Sequence, residues 1–174
     1  MAGLPRYWDT GPFLAWLKQE AYRIDEVEPV IRAAQDGKVL LVTSSVTLVE
    51  VVKLDQKNAP VAVPPEDAET IRKFFERSSI NIRTFDRNTA ALARQLIWDH
   101  GLETRDAMHL ATAVRWKMPL IETYDRKDLI SLDGKVGTPP IEIRTPKYDV
   151  PPEESDDQLS GLQTDLGFDE EPSA

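Results

Sequence analysis

Four carboxylates that could form one metal-binding pocket lie in four separate stretches of this chain. Asp9 follows the apolar run LPRYW, Glu50 ends VLLVTSSVTLVE, Asp106 opens DAMHLATAV, and Asp125 follows PLIETY. Each acid stands where a strand-like run ends or a helix begins. The carboxyl ends of strands and the N-termini of helices share one edge of a wound α/β sheet, so these side chains should meet in one crevice. Carboxylates are the ligands that hard cations such as Mg²⁺ prefer.

Each acid also has a purely structural explanation, which the sequence leaves open. Asp9 precedes Thr-Gly-Pro and could cap a helix, and Glu50 stands three residues after Thr47, the spacing of a capping box. Asp106 could complement a helix dipole, and Asp125 could belong to a turn. Taken singly, these explanations are the simpler ones for the three aspartates. Four acids at the same predicted edge are better explained by one shared site.

The elements that must position these acids alternate between short apolar runs and helical patterns, which is typical of an α/β fold with a largely parallel sheet. Five strands are expected near residues 4–9, 38–43, 79–84, 118–123 and 141–144. Helices that flank this open sheet are expected at 11–19, 23–35, 45–55, 65–77, 87–100 and 105–116, with Pro65 and Thr104 as start signals and Gly101 as a stop. The sequence thus predicts one folded domain over residues 1–148.

The amino-acid composition limits which residue types could be metal ligands. The 174 residues contain no cysteine and two histidines, His100 and His109, so a thiolate or histidine-rich metal site is not expected and the ligands must be oxygens. No apolar run is long enough to cross a membrane, and the N-terminus lacks the basic and apolar regions of a signal peptide. We therefore expect a cytoplasmic protein without a membrane partner.

The net charge of −9 is concentrated at one end of the chain. Residues 149–174 contain nine acidic residues and no lysine or arginine, which leaves 21 acidic and 21 basic residues in the rest. A segment so acidic and rich in proline cannot bury enough apolar surface to fold by itself. We predict a disordered acidic tail at 149–174 and a domain of zero net charge before it.

Some neighbours of the acids suggest how a substrate could bind. Arg105 and Arg126 directly adjoin two of the acids, and such cations either contact phosphate or form ordinary solvated surface. Arg6, Lys53 and Lys127 lie near the acids in sequence too. His109 lies one turn after Asp106, where a packed core histidine is a simpler expectation than a hydrogen bond to the site.

The local sequences resemble the PIN-domain family of metal-dependent ribonucleases, which includes the VapC-like toxins of toxin–antitoxin pairs. The resemblance rests on YWDTGPFLAWL, TSSVTLVEV, TRDAMHLATAV and LIETYDRKDL, which stand in the family's order across residues 4–130. It implies a parallel five-stranded sheet and an acidic site that uses Mg²⁺ or Mn²⁺ to cleave RNA. Asp9, Glu50, Asp106 and Asp125 match the family's acidic quartet. Thr10 and Thr123 match its hydroxyl positions.

The resemblance predicts a metal-dependent endoribonuclease, whose partners are RNA, an antitoxin protein and a second copy of the chain. Asp9, Asp106 and Asp125 are the expected metal ligands, and Glu50 is either a ligand or the group that orients water. The predicted substrate-binding residues are Thr10, Arg105, Thr123 and Arg126. The alternative is a PIN-like module that binds protein or RNA without cleaving it. Nucleotide binding by a glycine loop is not expected, because GxxxxGK[ST] and GxGxxG are absent.

Overall fold

A five-stranded parallel sheet forms the centre of the protein. The computed structural model describes residues 4–52 and 62–148. The strand order is β3-β2-β1-β4-β5, and every neighbouring pair is parallel. The predicted α/β architecture is therefore confirmed. The strands are β1 (Leu4–Trp8), β2 (Val39–Ser44), β3 (Ile80–Arg83), β4 (Leu120–Glu122) and β5 (Glu142–Arg144).

Six α-helices and one short 3₁₀ helix surround the sheet in the described part of the chain. Pro65 begins its helix as predicted, and Gly101, with φ of 68°, terminates another in the left-handed conformation that glycine favours. The helices are α1 (Thr10–Leu17), α2 (Ile24–Gln35), α3 (Thr47–Glu50), α4 (Pro65–Phe75), α5 (Arg87–His100), α6 (Thr104–Arg115) and the 3₁₀ helix Ile130–Leu132, which the sequence did not predict.

The helix predicted over 45–55 is wrong in length. Helix α3 is a single turn, and Val51 leaves the helical region at φ −89° and ψ 78°. The run VTLVEVV is rich in β-branched residues, which lose side-chain freedom in a helix and so do not extend one readily. Thr104 is the first residue of α6 rather than its cap, since Glu103 occupies the cap position without a side-chain hydrogen bond.

Two apolar cores lie on opposite faces of the sheet. Successive strand side chains point to opposite faces, so Tyr7 packs with α5 and α6 while Trp8 packs with α1, α2 and α4. On the second face Phe13 contacts Trp8 and Phe75 edge to face, with ring centroids 5.1 and 5.2 Å apart. These cores fix α1 and α6, whose first turns carry residues of the predicted site.

The strand order places a crevice between β1 and β4. From β1 the chain runs outward through β2 and β3, then returns to add β4 on the other side of β1. Ligands of open α/β sheets bind outside the carboxyl ends of the strands at such a switch point. Trp8 pairs in register with Glu122, so the residues that follow them, Asp9 and Thr123, emerge side by side.

Two of the sequence predictions lie outside the described residues. These are the acidic tail at 149–174 and residues 53–55 of the helix predicted over 45–55. Among the helices of the described ranges, none combines the length and apolar character needed to cross a membrane.

Candidate active site

Asp9 lies at the switch point and has two structural contacts. Its side chain caps α1 by accepting a hydrogen bond from the Gly11 backbone N–H at 3.1 Å. Its other oxygen, Oδ2, accepts one from the Thr123 hydroxyl at 2.5 Å. Burial raises the pKa of Asp9, an effect that the nearby His109 and the Thr123 hydrogen bond oppose. The capping explanation of Asp9 is therefore correct, and it coexists with a place in the pocket.

Thr123 joins the end of β1 to the loop after β4. While its hydroxyl donates to Asp9, it accepts a hydrogen bond from the Asp125 backbone N–H at 2.9 Å. Asp125 in turn accepts one from the Asp128 backbone N–H at 2.7 Å. The hydroxyl is fully buried, so it holds the acids in place and has no surface for contact with a substrate.

Three aspartates form a compact acidic cluster: Asp106 at the start of α6, and Asp125 and Asp128 in the loop after β4. One carboxylate oxygen from each lies within 4.8 Å of the others. Partial burial, followed by repulsion from Asp125, Asp128 and Asp9, raises the pKa of Asp106 to about 6. Asp128 was missed from the sequence, although its position three residues after Asp125 in YDRKD could have indicated it.

Glu50 approaches the same pocket from α3. Its carboxylate accepts a hydrogen bond from the Thr10 hydroxyl, lies 2.8 Å from His109 Nε2, and lies 3.4 Å from Arg105 Nε. Burial is the largest single influence and raises its pKa. The hydrogen bonds from His109 and Thr10 and the charges of His109 and Arg105 together outweigh burial, so the pKa of Glu50 is lowered. Glu50 is therefore ionised at neutral pH.

His109 bridges the core and the pocket. It is buried, and its Nδ1 lies 2.9 Å from the Tyr7 hydroxyl, while Nε2 lies 2.8 Å from Glu50 Oε2 and 3.3 Å from Thr10 Oγ1. Burial, with Asp9 adding to it, raises the pKa of Tyr7, so Tyr7 remains a neutral phenol. The expectation of a packed core histidine was incomplete, because the same ring also holds Glu50.

All four acids predicted from the sequence converge on one pocket of about 280 Å³. Its lining residues also include Thr10, Arg105 and His109. Arg126 does not line it and instead borders a neighbouring cavity. Arg6 does not border the pocket, because it is buried and pairs with the Glu122 carboxylate at 2.8 Å. Lys53 lies outside the described residues.

The donors at this pocket suit a hard divalent cation. They are carboxylate oxygens, which Mg²⁺ and Mn²⁺ favour over nitrogen or sulfur. The acids of the cluster repel one another enough to raise the pKa of Asp106, and a cation between them would relieve that repulsion. The acidic residues thus fit a metal, while their individual roles toward it remain predictions.

The family follows from the sequence together with this geometry. A PIN domain profile matches residues 6–135, which include every element that contributes to the pocket. The chain belongs to the PIN domain family. Its parallel five-stranded sheet flanked by helices is the fold that this family membership implied. None of the curated proteins matches the sequence significantly.

Several solved structures share the PIN fold of this chain. A toxin–antitoxin complex from Klebsiella pneumoniae has a TM-score of 0.56 at 21% identity, covering 83% of this chain and 99% of the other. Mycobacterium tuberculosis VapC20, a toxin that cleaves the sarcin–ricin loop, has a TM-score of 0.55 at 13% identity, covering 70% and 91%. VapBC2 from Rickettsia felis, bound to a DNA fragment from its promoter, has a TM-score of 0.55 at 14% identity, covering 80% and 98%.

Proposed function

We propose that this PIN domain protein is a divalent-metal-dependent endoribonuclease that hydrolyses RNA phosphodiester bonds. The observation that carries the proposal is the convergence of Asp9, Glu50, Asp106 and Asp125, from four separate parts of the chain, on one pocket. A role in capping or turns would not require these residues to meet. The similarity to solved toxins, one of which is described as cleaving the sarcin–ricin loop, supports the same chemistry.

Asp9, Asp106 and Asp125 are the proposed metal ligands, and the structure suggests Asp128 as a fourth. When bound, Mg²⁺ or Mn²⁺ would acidify a coordinated water and neutralise charge on the scissile phosphate. Asp128 enters the proposal because its carboxylate reaches Asp106 and Asp125 within the compact cluster. Thr123 holds two of these proposed ligands in position, because its hydroxyl links the Asp9 carboxylate to the Asp125 backbone.

Glu50 is proposed to orient the attacking water and accept its proton. Its lowered pKa keeps it ionised at neutral pH, and only a carboxylate in that form can accept. Thr10 and His109 hold one of its oxygens, Oε2, while Arg105 lies near the other, Oε1. The exposed guanidinium of Arg105 can turn toward a phosphate, so Arg105 and Arg126 are the proposed substrate contacts, together with the Thr10 hydroxyl.

The proposed protein partner is an antitoxin, and a second copy of the chain is proposed as well. Two of the similar structures are described as a toxin–antitoxin complex or as VapBC2. An apolar surface suited to a protein partner lies beside α3, where Leu48, Val49 and Val52 are exposed. Trp98 and Trp116 are also exposed, whereas Trp8 is buried. The cytoplasm is the proposed compartment.

Metal titration combined with a ribonuclease assay tests the proposal. The purified chain should cleave a mixed RNA substrate in Mg²⁺ or Mn²⁺, stop in EDTA, and recover when excess metal is added. Calorimetry with Mn²⁺ should detect binding in the absence of RNA. Cleavage that continues in EDTA would contradict the metal mechanism. Metal binding and RNA binding without any cleavage would favour the non-catalytic module instead.

A further inference from the structure

A second cavity adjoins the acidic pocket. This outer cavity has a volume of about 650 Å³, and Tyr22, Arg23, Tyr124, Arg126 and Lys127 contribute to its lining. Tyr124 and Asp125 line both cavities. A chain molecule with one group in the acidic pocket can therefore place the next group in the outer cavity.

Three flat side chains are stacked at the outer cavity. The Arg23 guanidinium carbon lies 4.2 Å from the Tyr124 ring centroid and 5.2 Å from that of Tyr22. An ion pair with Glu20 at 3.0 Å holds the guanidinium in position. Such cation–π contacts preorganise the rings before any ligand arrives. The arrangement is thus a ready platform for another flat, aromatic group.

Tyr22 leaves this platform open to the solvent. It is 75% exposed, the same as Val49 and more than the other large apolar or aromatic side chains of the described residues. A ring that exposed contributes little to the core, and its free face can accept a ligand. Tyr124 differs in being half-buried, and the side chain of Glu26, which also lines the outer cavity, lies close to its hydroxyl.

Two cations line the outer cavity together with the platform. Arg126 and Lys127 are exposed, and within the described ranges Arg126 has no ion pair or hydrogen bond. Lys127 forms a long ion pair with Asp128, at 3.9 Å. Aromatic faces interleaved with such cations are the combination that binds single-stranded nucleic acid, since bases stack while phosphates meet the cations.

We propose that the outer cavity is a nucleobase subsite, in which an unpaired base next to the scissile phosphate stacks on Tyr22 while Arg126 and Lys127 contact the adjoining phosphates. The inference rests on the proposed ribonuclease function and specifies its substrate as single-stranded RNA at this position. A protein partner fits the outer cavity less well, because its lining is charged. The apolar surface of Leu48, Val49 and Val52 is the better match for protein.

Binding of an intact oligonucleotide tests the subsite separately from cleavage. The experiment uses the full chain with Asp106→Asn, in EDTA. Both conditions prevent cleavage, so the RNA stays intact, and a gel verifies this. The probe is a short single-stranded RNA with 2-aminopurine near its centre, at low salt. Its anisotropy gives the affinity, and quenching of 2-aminopurine reports stacking. Tyr22→Ala and Tyr22→Phe are compared in this background.

Trp98→Ala is the matched control. Trp98 is an exposed aromatic residue with Arg94 stacked on it at 4.9 Å, but it lies on α5 and lines neither cavity. We expect Tyr22→Ala to weaken binding about 5- to 100-fold and to abolish the quenching, because one stacked base is lost. Tyr22→Phe and Trp98→Ala should bind as the background does.

The subsite is overturned if Tyr22→Ala binds and quenches as well as its parent, if Trp98→Ala weakens binding equally, or if the parent binds no RNA. The proposed function fails by a different result. If the native chain binds RNA through Tyr22 yet never cleaves it with metal present, the nuclease is lost and the subsite stands. If the native chain cleaves RNA while Tyr22→Ala cleaves and binds equally well, only the subsite falls.

Discussion

Glu122 is the last residue of β4 and Asp125 lies three residues later, yet their carboxylates have opposite surroundings. Glu122 is fully buried, and Arg6, the Trp8 indole and the Lys147 backbone N–H lie 2.8, 2.7 and 3.2 Å from its oxygens. Asp125 is half-buried and faces two other acids. A carboxylate whose charge is matched by the protein serves the fold. One left among like charges is available to a cation that the protein does not supply.

The largest effect on stability should come from disrupting the matched group, which is the buried Glu122 carboxylate with its partner Arg6. Glu122→Gln keeps the shape but leaves Arg6 buried without its counter-charge, and removing one member of a buried pair costs about 3–5 kcal/mol. Urea denaturation should show that loss. Glu142→Gln is the matched control, since Glu142 also pairs with an arginine, Arg144, at 3.3 Å but is exposed. It should change stability by less than about 0.5 kcal/mol. Equal losses in both variants would remove the distinction between the two carboxylate groups.

The unmatched group is the acidic cluster of Asp106, Asp125 and Asp128. Neutralising one of its members should cost activity and not stability. Asp106→Asn removes one of the repelling charges and a proposed metal ligand, so RNA cleavage should fall at least about 100-fold while the metal-free protein keeps or gains stability. Asp99→Asn, on the exposed side of α5, is the control and should leave both properties unchanged. Cleavage and thermal unfolding are measured on the same preparations. An active Asp106→Asn protein, or one that unfolds, would contradict the assignment.

The contrast also predicts how stability depends on pH. The pKa of Asp106 is about 6 in the folded protein against an ordinary value of 3.8, so the folded state binds its proton more tightly than the unfolded state. Ionisation of Asp106 therefore destabilises the metal-free fold as pH rises from about 4 to 6. The pKa of Glu50 is lowered, so its contribution has the opposite sign and is lost as pH falls below about 4.5.

Unfolding of the native chain and of Asp106→Asn in EDTA between pH 4 and 7 measures this effect. As pH falls, the native chain should gain stability relative to the variant, most of it between pH 6 and 4. Excess Mn²⁺ should reduce the difference, because the cation takes the place of the proton. Parallel stability curves would show that Asp106 is not under the repulsion inferred from its neighbours.

The smallest effect concerns the cations. Arg6 is already committed to Glu122, whereas Arg126 is exposed beside the outer cavity. Arg126→Gln should weaken RNA binding for all sequences alike and reduce the salt slope of log Kd by about 1, as expected for one lost phosphate contact. Binding of the inactive Asp106→Asn protein at 50–200 mM salt measures this slope. Arg32→Gln, on the exposed face of α2, should leave it unchanged.

The convergence of the four acids was predictable because it depends on topology alone. Alternating apolar and helical segments indicate a parallel sheet, and Asp9 and Asp125 then lie after neighbouring strands at one edge. The matched group was not predictable, since Arg6 and Glu122 lie 116 residues apart and nothing local marks them as a pair. The role of His109 also depends on a distant residue, Tyr7.

The short helix α3 was mispredicted for a different reason. Apolar spacing continues beyond Glu50, but the run is rich in β-branched residues, which disfavour a longer helix, and α3 ends after one turn. The tail at 149–174 stays a prediction, as does the domain boundary at 148. The outer cavity escaped sequence reasoning because Tyr22 and Tyr124 come from distant segments that meet only in the fold.

The hydroxyl of Thr123 imposes a direction on its hydrogen bonds. Its single proton goes to Asp9 Oδ2, and a lone pair receives the Asp125 N–H, so position 9 must accept at both of its oxygens. An amide there keeps the contact with Gly11 only by turning its NH₂ toward Thr123, which leaves the hydroxyl proton without an acceptor. Such a buried unsatisfied donor costs about 1–3 kcal/mol. The pocket can therefore lose a negative charge at position 106 more cheaply than at position 9, although both charges serve the same proposed metal.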